Sequence, residues 1–139
     1  MPKKDERTTN KRKSNRVAIL TLRYKVVSGW DKNKASRFVL GIVQNISPDG
    51  LCLRTNTLEI DGLHISFDDT PLVRNKLRIE LDLPSSRNTI NIEGEVEWYE
   101  KEPGKNRDFY NVGVSFVKLK DEDRKTLKEY IKTIEEFTQ

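Results

Sequence analysis

The sequence predicts a mostly β fold, an antiparallel barrel or sandwich closed by one C-terminal helix and preceded by a flexible basic arm. Three observations carry this. Apolar and polar residues alternate through short runs from Val17 to Phe116, separated by turn residues, which is the period of half-buried strands. After Phe116 the apolar spacing lengthens to that of a helix. The charge is also uneven: residues 1–16 carry seven cations against two carboxylates, a net of +5, so residues 17–139 sum to −1 within a chain of +4. The basicity belongs to the arm, and an anionic partner would be met chiefly there.

The first strand sets Ala18, Leu20, Leu22, Tyr24 and Val26 on one face and Val17, Ile19, Thr21, Arg23 and Lys25 on the other. Ser28 to Ser36 breaks it as a loop. A second run places Phe38, Leu40, Ile42 and Ile46 on one face, and Ser47-Pro48-Asp49-Gly50 supplies turn chemistry before Leu51, Cys52 and Leu53. Further alternation predicts a strand through Leu63, Ile65 and Phe67, and another through Leu77, Ile79, Leu81 and Leu83. A third runs through Ile90, Ile92, Gly94, Val96 and Trp98, and a last through Tyr110, Val112, Val114 and Phe116. Loops at Pro84 to Asn88 and Pro103 to Arg107 separate the later strands. Leu127, Tyr130, Ile131, Ile134 and Phe137 then form the apolar stripe of a helix, with Asp121 placed to cap it and Glu122 and Asp123 suited to its N-terminal dipole. The segments are thus an arm over 1–16, a β domain over 17–118 and a helix over 119–139.

At 139 residues the chain is the size of one domain. Charged residues make up 35% and the mean hydropathy is −0.74, yet the ordered alternation points to a folded protein with a wet surface. The apolar runs are too short to cross a bilayer, and no secretory leader is evident, so a cytoplasmic location is expected without membrane insertion. One cysteine, Cys52, and one histidine, His64, offer neither a disulfide nor a soft metal cluster. No phosphate-binding glycine loop or nucleophile triad is present. The chain therefore reads as a binding protein, not an enzyme, with no cofactor and no metal.

Two constellations carry recognition chemistry. Arg12-Lys13-Ser14-Asn15-Arg16 stands directly before the first strand, and Asn45-Ile46-Ser47-Pro48-Asp49-Gly50 follows the second. Up-and-down pairing brings the start of the first strand near the end of the second. Arginine offers a planar fork for phosphate and a flat face for purines. Asn45 and Ser47 can hydrogen-bond a base edge, and Gly50 lets a ring approach the backbone. Each segment has a plainer reading: the basic run as a solvated tail, and the turn as a hairpin in which Ser47 and Asp49 bond local backbone and Gly50 supplies positive φ.

Together, in this order, the two segments resemble the signature of the PilZ domain family, the bacterial cyclic di-GMP receptors: Arg-x-x-x-Arg before the first strand and Asp/Asn-x-Ser-x-x-Gly after the second. Gly50-Leu51-Cys52-Leu53, Val96 with Trp98, and Gly113-Val114-Ser115-Phe116 are similar to later strands of that family. The resemblance implies a stand-alone, six-stranded antiparallel β-barrel of Greek-key or split type with a C-terminal helix. It implies cyclic di-GMP held outside the barrel by Arg12, Arg16, Asn45, Ser47 and Gly50. Lys11, beside the first arginine, would bear on whether one ligand or a stacked pair binds. The expected output is an arm that orders on ligand binding and relays the signal to a protein partner, in processes such as motility or biofilm formation, from a monomer or weak dimer.

Two alternatives keep the fold. In one, the barrel binds single-stranded nucleic acid along the arm; against it, Tyr24, Phe38, Phe67, Trp98, Tyr110 and Phe116 fall mostly on positions read as core-facing. In the other, it is a ligand-free adaptor, against which the intact motifs stand. Elsewhere, His64 reads as a surface or satisfied side chain, Asp68 and Asp69 as a loop, and Cys52 as packing with an unactivated thiol. Glu93, Glu95 and Glu97 read as a solvated edge that could serve for docking.

Overall fold

The structure, a computed structural model, describes residues 20–67, 72–84 and 86–138. Its elements are β1 (Thr21–Val27), β2 (Val39–Ser47), β3 (Gly50–Thr55), β4 (Glu59–Ile60), β5 (Leu63–His64), β6 (Lys76–Leu81), β7 (Ile90–Glu102), β8 (Phe109–Leu119) and α1 (Asp121–Thr138). Six strands close a barrel in the order β1-β2-β3-β8-β7-β6, with β6 returning to pair β1 from Leu22↔Leu81 to Val27↔Lys76. All pairings are antiparallel. The chain is therefore two three-stranded meanders, joined where β3 meets β8 and where β1 meets β6. Closure removes the unpaired edges that an open sheet would expose.

Alternation explains most of the interior. Leu20, Leu22, Tyr24 and Val26 point inward from the first strand, as do Leu77, Ile79, Leu81 and Leu83 from the region of β6. Ile90, Ile92, Val96, Val112 and Val114 complete the far wall. Inside the barrel the Tyr24 and Thr55 hydroxyls share a 2.8 Å hydrogen bond, which satisfies two polar groups in an apolar core.

The antiparallel register sorts the connections between two ends. At one end β3 runs into the β4–β5 hairpin, whose Ile60 and Leu63, with Ile65 beyond, join the buried core. Its Asp61-Gly62 turn has both residues at positive φ, 52° and 82°, the geometry that matches strand twist in a two-residue hairpin. At the other end lie the start of β1, the β2–β3 turn, the end of β8 and α1, which buries Leu127 and Tyr130 and half-buries Ile131 and Ile134.

Five expectations are corrected. The inward residues of β2 are Val39, Gly41 and Val43, while Leu40 and Ile42 face solvent at 73% and 44% exposure. A Cβ on Gly41 would overlap Leu53 and lie 3.3 Å from Tyr24, so those two side chains already fill the volume facing β2. A bulge between Val43 and Asn45 then returns Ile46 to the core side. Phe38, Phe67 and Trp98 are exposed, not core-facing: Phe38 shares the outward phase of Leu40, Phe67 follows the short β5, and a bulge between Val96 and Trp98 turns the indole outward. The run through Phe67 is a two-residue strand and a bend in place of a full strand. Asp121 lies inside the first helical turn, because the Arg124 amide already bonds the Lys120 carbonyl and makes Lys120 the capping position. Finally, Glu93, Glu95 and Glu97 sit on a central strand of a closed barrel, not on an edge. Ala18 and the side chain of Phe137 lie outside the described residues.

Candidate functional site

The β2–β3 turn is built by local chemistry. Ser47 and Gly50 face each other across the ladder, leaving Pro48-Asp49 as a two-residue loop. The Asp49 amide donates to Ser47 Oγ at 3.3 Å, and that hydroxyl donates to the Gly50 carbonyl at 3.2 Å, as the plain hairpin reading expects. Gly50 is present for another reason than positive φ, which among described residues occurs only at Asp61 and Gly62. A Cβ there would lie 2.5 Å from the Val114 carbonyl oxygen, so the missing side chain lets β3 approach β8.

Tertiary contacts then hold the turn in place. The Phe116 amide donates to the Asp49 carbonyl at 2.9 Å. From α1, Arg124 Nη1 donates to the Pro48 carbonyl at 2.8 Å and meets the Asp49 carboxylate at 3.2 Å. The turn is thereby tied both to the barrel wall and to the helix.

Beside it runs an open groove of about 380 Å³ lined by β2, β3, β7 and β8. Asn45 and Ser47 stand exposed on one side. On the other, Trp98 lies against Gly113 and is 49% exposed, and a Cβ on Gly113 would collide with the indole. The groove thus pairs an amide and a hydroxyl with an aromatic face. Ser115 Oγ donates to the Glu97 carboxylate at 2.7 Å at the groove's border. Cys52 also lines it, half-buried and outward, so it packs at the groove. Burial pushes its thiol up from the usual value, with the nearby Glu100 charge adding to this and a Val112 backbone hydrogen bond opposing it, so the thiol is not activated.

The structure brings Asn45, Ser47 and Gly50 together. Arg12, Arg16 and Lys11 lie outside the described residues, as do Asp68 and Asp69. Trp98 is the groove residue that alternation concealed, since a strict period of two puts it on the core side of Val96. His64 is satisfied: its Nδ1 bonds Ser66, and its ring lies 5.8 Å from Tyr99 and 6.3 Å from Phe67. The carboxylates of Glu95 and Glu97 are partly neutralised, Glu95 by Lys76 and Arg74, and Glu97 by Arg74. Among the described residues no group of three or more His, Cys, Asp and Glu side chains could hold a metal ion, and no helix is long and apolar enough to cross a membrane.

The PilZ domain family model matches residues 10–133, which includes both the segment before β1 and the β2–β3 turn. The chain belongs to the PilZ domain family. Solved structures agree on the fold. Klebsiella pneumoniae MrkH in its apo state matches with a TM-score of 0.60 at 17% identity, over 85% of this chain and 47% of that one. Bacillus subtilis inhibitor of motility MotI/DgrA gives 0.57 at 14% identity, over 88% and 49%. The PilZ domain of Escherichia coli YcgR with c-di-GMP gives 0.51 at 12% identity, over 87% and 92%. This PilZ chain spans about half the length of the MrkH and MotI chains. Among curated proteins, none matches its sequence.

Proposed function

We propose that this PilZ domain is a cyclic di-GMP receptor that acts by binding, without catalysis, from the cytoplasm. Arg12 and Arg16 hold the phosphates and stack on guanine, Asn45 and Ser47 meet a guanine edge, and the Gly50 backbone lies against the ring. The observation that carries this reading is the division of chemistry at the groove. Its described wall offers an amide, the remaining acceptor lone pair of the Ser47 hydroxyl and an indole face to a purine, while Arg124 Nη1 is engaged by Pro48 and Asp49. A dianionic ligand therefore needs further cations, and the arm over 1–16 contains them.

The β1–β2 register supports the direction of approach. It pairs Thr21 with Ile42, and the Leu20 carbonyl accepts from the Val43 amide. The described chain thus begins beside the part of β2 that leads into the turn. Family membership and the YcgR domain, solved with c-di-GMP, support cyclic di-GMP as the ligand. Charge-assisted hydrogen bonds of roughly 1.5 to 3 kcal/mol each, less the ordering of the arm, are compatible with micromolar binding. Ordering of the arm then makes a new surface for a protein partner.

Calorimetry with cyclic di-GMP tests the reading. Saturable binding is expected, with Arg16→Ala weaker by about tenfold or more, the loss of one charge-assisted bond. Equal affinity in parent and variant would remove Arg16 from the site. Hydrogen exchange over residues 1–19 should slow when ligand is added; unchanged exchange would end the ordering step. Single-stranded oligonucleotides are expected to bind only weakly and with strong salt dependence. Exposed Phe38, Phe67 and Trp98 do not favour that alternative, for they sit in separate settings: under Lys25, beside His64 and over Gly113.

A further inference from the structure

We propose that the outer wall of β1, β6, β7 and β8 carries a second recognition surface, a cationic ridge flanked by two concavities that docks an acidic segment of a partner protein bearing apolar side chains. It goes beyond the ligand assignment and does not depend on it.

The strand register aligns four charges on this wall and leaves one like-charged pair, Lys25 with Arg78, among them. Lys25 lies directly opposite Arg78, Arg78 opposite Glu93, and Glu93 opposite Lys118, so one row across four adjacent strands holds three cations and one carboxylate. Like charges directly opposite each other destabilise a sheet. Elsewhere on the barrel the same kind of position is matched: Arg23 opposite Glu80 pairs at 2.8 Å. Among the described residues Arg78 and Lys118 are exposed and make no ion pair. Residues 17–139 as a whole are slightly acidic, so this concentration of cations is local to one face.

The row is a ridge between two concavities, one of about 670 Å³ and one of about 420 Å³, which share Arg78, Glu93 and Lys118. Lys32 is added on one side and Lys120 on the other, neither with an ion pair among the described residues. Each concavity also has an apolar wall. Phe38 stands on one under the Lys25 ammonium, 5.0 Å from its ring centre, and Val73 lines the other. Concavities with apolar walls suit side-chain anchors more than a flat lipid surface. Glu93 amid the cations disfavours a uniform phosphate backbone and can accept an amide or a cation from a mixed-charge peptide. The chemistry that complements all of this is carboxylates interleaved with aliphatic side chains.

Fluorescence anisotropy with a labelled peptide of repeated Glu-Glu-Leu, at roughly 0.15 M salt, reads the surface directly. Saturable binding is expected, about fivefold or more weaker for Arg78→Glu with Lys118→Glu, and similarly weaker for a Glu-Glu-Ser peptide on the parent protein. If the double reversal fails to fold, Arg78→Gln must still weaken binding by about twofold or more. No saturable binding by the parent, equal affinity in the variants, or tighter binding of an oligothymidylate or of phosphatidylserine vesicles would overturn the proposal. Cyclic di-GMP titrated into the same samples reads the other groove separately, so failure of one assignment is distinguishable from failure of the other.

Discussion

Arg124 donates from Nη1 to the Pro48 carbonyl oxygen at 2.8 Å, joining the first turn of α1 to the turn between Ser47 and Gly50. The same nitrogen reaches the Asp49 carboxylate, which is 92% exposed. The two contacts differ in worth. A charged donor on a carbonyl contributes about 1.5 kcal/mol or more, whereas a pair with so exposed a carboxylate contributes little. Arg124→Ala is expected to lower urea stability by about 1 to 2 kcal/mol, and Asp49→Ala by less than about 0.5 kcal/mol. Equal losses in the two variants would show that the carboxylate, not the carbonyl, anchors the helix.

Gly50 and Gly113 lie on neighbouring strands and should answer differently to the same substitution. At Gly50 an added methyl meets the Val114 carbonyl oxygen, which is backbone within the β8 ladder. Gly50→Ala should cost about 1 to 3 kcal/mol, read as a lower denaturation midpoint at unchanged slope. At Gly113 the obstacle is the exposed Trp98 indole, which can turn aside. Gly113→Ala should remain within about 1 kcal/mol of the parent while shifting Trp98 emission in a Trp30→Phe background. The reverse order of stabilities would contradict the two approaches described.

If a guanine base lies in the groove, Trp98 is its stacking platform. Replacing an aromatic that stacks on a base costs about 1 to 3 kcal/mol. Trp98→Ala should therefore weaken cyclic di-GMP binding by roughly fivefold to a hundredfold, with Trp98→Phe in between, both measured by calorimetry. Undiminished affinity in Trp98→Ala would put the base elsewhere on the turn.

Burial pushes the Tyr24 phenol up from its usual value, against the smaller opposing effect of its hydrogen bond with Thr55. The folded state thus keeps its proton at pH values where the unfolded chain has begun to lose it. This contribution to stability is complete below about pH 10 and falls as pH rises through the folded value. Tyr24→Phe is expected to flatten that alkaline decline while costing about 1 kcal/mol at neutral pH. Tyr130 is raised by burial as well, so a residual slope should remain until Tyr130→Phe is added. An unaltered slope in the double variant would assign the decline to other groups.

Some of the architecture was written locally. On β1 and β6 the inward residues are the alternating apolar ones, because a strand with one buried face must repeat with period two. The serine, proline, aspartate and glycine of the β2–β3 turn formed the expected hairpin for the same local reason. The Asp61-Gly62 hairpin has the residue types of a two-residue turn, and it ends the strand at His64, short of Phe67. The spacing of Asn45, Ser47 and Gly50 marks them as one group, and of the two roles open to Gly50 the positive φ of the plainer hairpin reading is absent.

From residue order alone came the strand rhythm, the C-terminal helix, the basic leader and the family motifs, since each depends on neighbours within a few positions. Only the closed barrel decided which side of β2 faces inward, because the volume there is filled by Tyr24 from β1 and Leu53 from β3, far away in sequence. It also decided that Trp98 stands outside, through a bulge in the pairing of β7 with β8. The alignment of Lys25, Arg78, Glu93 and Lys118 arose in the same way, for cross-strand register is set by packing between distant segments and leaves no trace in local order.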